Sequence, residues 1–485
     1  MSKKNRPFSR RDFLKLGGLG LAAGSMAPLL QSCAPKPTAV PPPAATEAPP
    51  VATEAPVATM APVATTAPVT KGETLKFWWW GETEAPGLEK WLTETIAQFK
   101  TQTGNTIEPT LQDTAVVVSE FQTASAANNA PDIQFLWNGI YHMESVWLGY
   151  LDPMDGLIPA EEIKATNPTK LSVFDGKTYR MGWYSCGPLW LYNKEMFSKV
   201  GLNADEPPKT YDELLNACDK LKAGGITPIG AGLKDGPWGE WFMGHGLGQN
   251  LDSPADAINL FIGSLDWREP RYYEHWSKVE ELWKKGFFNN DMNSIDLYPG
   301  IDLFGAGKAA MTAIVTPLAA SQAKALGSSV KVGAMVFPVF GKGKMAGKPI
   351  SDCQGLGISS QSKFKPIAAE FLRFTHTPER VKAFWETTHA LPMDNSFDVN
   401  LITDPLLKAI WQQWVGGPDT VPYISNLMPV LFWTDAMFVN SQKIIAGEWT
   451  GEQAGQNAYE VTKKWVEQNP DMVEKYSKWA KDLAL

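Results

Sequence analysis

Leu189-Trp190-Leu191-Tyr192-Asn193-Lys194-Glu195-Met196-Phe197 is the stretch on which the fold turns. Its first four residues read as a short buried strand. Asn193 then stands where a side-chain oxygen accepts the free N–H groups of a helix that continues through Met196 and Phe197. The same strand-to-helix step recurs on both sides. Upstream, Leu75 to Trp80 is a buried strand broken by Gly81, after which Leu88, Trp91, Ile96 and Phe99 share one helical face. A helix from about Ser119 precedes a strand at Pro131–Trp137, and Asp175-Gly176 marks a tight turn. Downstream, Thr210-Tyr211-Asp212-Glu213 is a capping box for a helix running to Gly224-Gly225, and Ile226–Gly230 starts another strand. Residues 255–288 look helical, and Thr450-Gly451-Glu452-Gln453 opens a late helix with Ala454, Val461 and Trp465 on its apolar face. Alternation of this kind predicts an α/β protein with mixed, mainly parallel sheets flanked by helices.

The bulk numbers bound the possibilities. From Gly72 onward the chain is too long for one compact core and suits two or three domains. Net charge is −8, and near −13 without the first 32 residues, which carry six Lys/Arg and one Asp. An acidic body has no electrostatic reason to seek nucleic acid. Of four cysteines, Cys186, Cys218 and Cys353 lie in the body, too few for a disulfide scaffold, and Cys218 has the helical spacing of a small buried residue. No zinc spacing, calcium loop, phosphate loop or hydrolase elbow is present, so no metal and no cofactor is expected. Twenty tryptophans, all beyond residue 77, are the unusual feature.

The N-terminal region reads as an address. Lys3, Lys4 and Arg6 lead into Ser9-Arg10-Arg11-Asp12-Phe13-Leu14-Lys15, which matches a twin-arginine export signal. The uncharged run Leu16–Leu30 is too short to span a bilayer, and it ends in Leu30-Gln31-Ser32-Cys33. That ending resembles the bacterial lipoprotein box, so residues 1–32 are expected to be removed and Cys33 lipidated. Residues 33–71 are a Pro/Ala/Thr-rich tether, reaching on the order of 100 Å if fully extended. The lipid would be the only membrane attachment.

Four stretches in order carry a resemblance: Phe77–Thr103; Ala130-Pro131-Asp132-Ile133 with Gly149–Asp155; Asp175–Tyr179 with Leu191–Phe197 and Pro207–Leu214; and Phe304–Met311 with Phe337-Pro338 and Gly355–Ile358. Together they resemble the carbohydrate-binding, maltose-binding-protein-like family of extracellular solute-binding proteins of ABC importers. The resemblance implies two α/β lobes with a ligand cleft between them and three crossings, near Trp183–Leu189, Phe337–Ile350 and Leu391–Ser396. It divides the chain into 72–185 and 341–392 for one lobe, and 186–340 and 393–485 for the other. It implies a monomeric receptor that hands a sugar or oligosaccharide to a membrane permease.

A sugar asks for flat aromatic surfaces and a few fixed polar groups. Ligands of open α/β sheets sit beyond the carboxyl ends of strands. The candidates are therefore Trp79, Trp80 and Glu82 at the end of the first strand, then Asp113. Trp137 and Asn138 end the next strand, and Tyr184 and Ser185 lie in the first crossing. Trp238, Glu240 and Trp241 read as a stacking loop, Asp352 and Gln354 precede Gly355, and Trp433 resembles a late stacking aromatic of the family. Thr316-Pro317-Leu318 stands where some relatives carry a sugar-contacting Trp. The competing readings are a secreted glycoside hydrolase working through paired carboxylates among Asp113, Glu240, Asp296 and Asp352, and a binding protein for a non-sugar solute.

Overall fold

The computed structural model describes residues 71–114, 116–167, 170–327 and 329–483; the export signal, Cys33 and the tether up to residue 70 lie outside them. Four strands open the described chain: β1 (Thr74–Trp79), β2 (Thr106–Leu111), β3 (Ile133–Leu136) and β4 (Leu151–Asp152). The Asp-Gly hairpin follows as β5 (Val173–Phe174) and β6 (Lys177–Thr178), with Asp175 and Gly176 both at positive φ. Next come β7 (Met181–Ser185), β8 (Pro188–Asn193), β9 (Thr227–Ile229), β10 (Ala309–Val315) and β11 (Val332–Met335). The last strands are β12 (Ile350–Ser351), β13 (Cys353–Ser359) and β14 (Val421–Pro422).

These strands make two main sheets. The first has the order β2-β1-β3-β13-β4, with β7 also on β13, and the second has the order β11-β8-β10-β9. Both are mixed rather than mainly parallel. β1 runs parallel to β2 and β3, but β13 is antiparallel to β3, β4 and β7, and β8 is antiparallel to β10 and β11. The reason is connectivity: β13 enters the first sheet from the second sheet's side, so it points against strands that began at the far edge.

Local signals behave as written in the chain. Asn193 Oδ1 accepts from the Glu195 and Met196 amides, while Thr210 and Thr450 form reciprocal capping boxes with Glu213 and Gln453. The stretch 255–288 is two helices, Pro254–Phe261 and Pro270–Lys284, because Pro270 starts a new one. Cys186, Cys218 and Cys353 are buried and unpaired with each other. Among the described residues no helix is long and apolar enough to cross a membrane, and no group of His, Cys, Asp or Glu is arranged to hold a metal.

Three passages between the sheets lie side by side. β7 leads to β8 through Cys186-Gly187, the chain returns to β13 past Ile350, and it leaves again near Leu391. They are laced by backbone bonds: Ser185 N to Leu391 O at 2.8 Å, Cys186 N to Asp352 O at 2.9 Å, and Thr316 N to Gly187 O at 3.0 Å. Gly187 is needed here, since a Cβ would overlap the Ile350 carbonyl oxygen. The candidate residues gather around this seam.

Candidate functional site

The site starts where β1 ends. Leu75, Phe77 and Trp79 alternate onto one buried face, so Trp79 is a core residue, 2% exposed, and is corrected from a cleft position. Gly81 releases the chain, and Trp80, itself buried at 5% exposure and so packed behind the strand ends, turns toward β3. Its ring meets Trp137 edge-on at 5.2 Å, and its indole Nε1 donates to Thr114 Oγ1 at 2.7 Å. Trp137 meets Tyr141 at 5.8 Å, which extends the aromatic row along the carboxyl ends of the strands. Glu82 has a different task from the one expected. Its carboxylate accepts from the Gly87 and Glu89 amides at 2.8 and 2.7 Å, closing the N-terminus of the helix Leu88–Thr103. Asp113 is exposed in the turn after β2, where its carbonyl accepts from Val116 and Val117.

Two residues beyond Glu82 lies a group that the sequence reading missed. Glu84 is 4% exposed, and Tyr184, Cys186 and Gln354 all donate to it, at 3.1, 3.0 and 2.8 Å. Burial raises its pKa above the ordinary carboxylate range, and those three donors hold it partly down. Tyr184 and Gln354 are therefore at the seam, as buried partners of this carboxylate. Ser185 is buried too, and its hydroxyl pairs with Thr316 of the second sheet's strand end at 2.9 Å.

Asp352 is the central connection. Asn138, just past β3, donates to Oδ1 at 2.5 Å, and Asn426 donates to Oδ2 at 2.9 Å. Asn426 belongs to the short helix Ile424–Leu427, which packs on the helices Pro237–Leu247 and Pro254–Phe261. One carboxylate thus joins three separate stretches of chain. Burial raises Asp352 to about 7 against the pull of Arg180, with Asn138 and the Cys353 amide also favouring the anion and Glu84 opposing it.

The expected stacking loop is instead the first turn of the helix Pro237–Leu247. Trp238 is fully buried, stacked on Phe242 at 5.2 Å and edge-on to Phe288, and Trp241 is buried as well. Both are corrected to core residues, because helical geometry turns them inward and leaves Glu240 at the rim. Trp433 reaches that rim from the start of a π-helical stretch, Trp433–Phe438, and donates its indole N–H to Glu240 Oε2 at 2.7 Å. Such widened turns occur often at functional sites. Glu240 is raised to about 7, first by burial; Trp433 and Tyr423 favour its anion and Asp352 disfavours it. Tyr141, in the first turn of the helix Ile140–Trp147 that follows β3, is pushed above its ordinary value by burial, then by the Glu240 charge. Beyond Glu84, the residues missed by sequence reasoning are Tyr141, Tyr423 and Asn426. No local pattern marks any of them.

The raised carboxyls give a pH signature. A carboxyl held at about 7, above its ordinary 3.8 or 4.5, contributes stability that is complete below about 4 and lost as pH rises through about 7. His142, His245 and His275 act oppositely. Burial lowers all three (His245 and His275 to about 3), so they cost stability as pH falls below 6.5. Net stability is therefore expected to change little between pH 5 and 7. The informative comparison is Glu240→Gln with the unaltered chain. The melting temperature of the variant is expected to gain on the unaltered protein by several degrees from pH 4.5 to 7.5 and then level off. A constant difference across that range would remove Glu240 from the account.

Two α/β halves joined by laced crossings, with aromatic rings and buried carboxylates at the seam, define a two-lobed binding protein rather than a single-core domain. The chain belongs to the bacterial extracellular solute-binding proteins, whose family pattern matches residues 94–409. Among curated relatives, the sn-glycerol-3-phosphate-binding periplasmic protein UgpB of Rhizobium meliloti (strain 1021) is 31% identical over 118 residues, 24% of this chain and 27% of that protein. UgpB of Escherichia coli (strain K12) is 24% identical over 310 residues, 61% and 67% of the two chains. The chain spans about a quarter to a third of the length of the first relatives it matches. The solved structure of a chitin oligosaccharide binding protein has the same fold, with a TM-score of 0.71 at 20% identity, covering 81% of this chain and 98% of that one.

Proposed function

We propose that this chain is the substrate-binding lipoprotein of an ABC importer, capturing a sugar or oligosaccharide between its lobes and delivering it to a membrane permease. What supports the reading is that Tyr141, in contact with Trp137 on one side, feels the charge of Glu240, which Trp433 holds on the other. Rings supply faces for sugar C–H patches, and Glu240 supplies an acceptor for hydroxyls. Family membership supports extracellular solute capture, and the names of the relatives support polyhydroxylated ligands. The twin-arginine leader and Cys33 support export, with lipid anchoring on the outer face of the cytoplasmic membrane. A monomer tethered by residues 33–71 then samples solute near the permease, and ligand contact with both lobes favours the closed form.

Titration calorimetry and tryptophan fluorescence against a panel of mono- and oligosaccharides test this directly. Saturable binding without turnover is expected. Trp433→Ala is expected to weaken affinity about 10- to 100-fold while leaving the melting temperature nearly unchanged, because Trp433 is only half-buried. Release of shortened sugars would transfer the case to a glycoside hydrolase, and an unaltered Kd in Trp433→Ala would move the site elsewhere.

A further inference from the structure

The carboxylates at the seam form a chain of like charge. Glu84 acts on Asp352, and Asp352 acts on Glu240. Each comes from a different part of the molecule: the turn after β1, the return to β13, and the helix Pro237–Leu247. Arg180, which is fully buried, is a cation that acts on Asp352. Its guanidinium donates to Ser172 Oγ at 3.1 Å, to the Leu136 and Cys353 carbonyls at 3.2 and 2.6 Å, and to Cys353 Sγ at 3.3 Å. It can therefore offset charge at Asp352 but presents no fork toward a solute. Glu84 and Asp352 each have both oxygens occupied by protein donors. Glu240 differs. It stands at the rim, and the Trp433 indole N–H, donating to its Oε2 at 2.7 Å, fixes its direction.

We propose, resting on the sugar-receptor reading above, that this cleft selects a saccharide without phosphate or carboxylate groups, and that Glu240 is the residue that sets this selection. A phosphate or a carboxylate needs donors and positive charge, which Arg or Lys forks and helix N-termini supply. Here a solute that reaches Trp433 meets the acceptor Glu240 instead. Glu240 accepts a hydrogen bond from a hydroxyl or a protonated amine, and in its ionised form it repels an anion at a partly dehydrated position where screening is weak. The seam thus departs from what the sn-glycerol-3-phosphate-binding relatives bind, although a stretch of their sequence aligns.

The test uses matched probes on the full chain: chitobiose, its fully de-N-acetylated counterpart, chitobiose 6-phosphate, glycerol and sn-glycerol 3-phosphate. The uncharged or amine-bearing disaccharide is expected to bind at least 100-fold more tightly than its phosphate, and the order of those two separates hydroxyl from ammonium recognition. In Glu240→Gln the discrimination against phosphate is expected to shrink about 10-fold. Tighter binding of sn-glycerol 3-phosphate or of the sugar phosphate overturns the proposal, and undiminished discrimination in Glu240→Gln overturns the assignment to that residue. If no sugar of either kind binds, the receptor reading fails first, and ionic quenching still judges the charge. The fluorescence component lost in Trp433→Phe should be quenched more by caesium than by iodide. Equal or stronger quenching by iodide would refute the acidic seam.

Discussion

Replacing Arg180 by Met is expected to cost about 3–5 kcal/mol of folding stability, the range seen when one partner of a buried charge pair is removed. Arg180 stands just before β7 with no exposed surface, and four acceptors converge on it from three parts of the chain: Ser172, the end of β3 at Leu136, and the start of β13 at Cys353. Met fills much of the same volume but donates nothing, so two buried carbonyl oxygens lose a charge-assisted partner. Asp352 also loses the cation that most favours its anion. That second part carries a sign that can be checked. Once Arg180 is gone, Asp352 holds its proton more tightly, and forcing it to ionise costs more as pH rises past about 7. The loss should therefore be larger at pH 8 than at pH 5, read as the shift in urea midpoint at the two values. Arg180→Lys keeps the charge without the planar fork and should fall between. A loss below about 1 kcal/mol at both pH values would show that β3, β7 and β13 are held together by other means.

Why the sequence disclosed some of this and hid the rest follows from the range of each interaction. Asn193, Thr210 and Thr450 were legible because a cap involves residues two or three apart, and the Asp175-Gly176 hairpin for the same reason. Strand direction was not. The pairing of Gly355 with Leu136 spans more than two hundred residues, and only the path taken between the lobes decides that β13 runs antiparallel to β3. Trp238-Gly239-Glu240-Trp241 looked like a turn because glycine sits among large aromatics. The glycine is there because a Cβ would press on Ser441 and Met437, so it serves close helix packing. Of those four residues only Glu240 stays near solvent. The nearest miss was Glu82 for Glu84. A carboxylate after the Gly81 break was the right kind of group, but Glu82 faces the amides of the next helix and Glu84 faces the seam. Sequence periodicity does not resolve two residues within a turn.

Gly139→Ala is the substitution expected to separate folding from lobe closure. Gly139 links β3 to the helix Ile140–Trp147 with φ 70° and ψ −136°, a conformation that costs an alanine on the order of 1–3 kcal/mol. Space is the sharper constraint. An added Cβ would overlap the Asn426 carbonyl oxygen and come within 2.8 Å of the Asn426 Cβ. Asn426 is the residue that donates to Asp352 from the second lobe, while Asn138, next to Gly139, donates from the first. Accommodating the methyl group means moving the segment Ile424–Leu427 away, which opens the Asn138–Asp352–Asn426 bridge. If ligand binding requires that approach, affinity should fall at least 30-fold, since losing a few kcal/mol of closed-state preference lowers apparent affinity in proportion. Scattering from the ligand-mixed variant should keep a larger radius of gyration than the unaltered protein. Gly149→Ala supplies the control. Gly149 has a similar φ of +75° but nothing within 4 Å of its added Cβ, so it carries a left-handed φ without touching the other lobe. It should lose stability and bind normally. Equal affinity losses in the two variants would assign the effect to strain alone, and normal binding by Gly139→Ala would mean that the Asn426 contact has no part in capture.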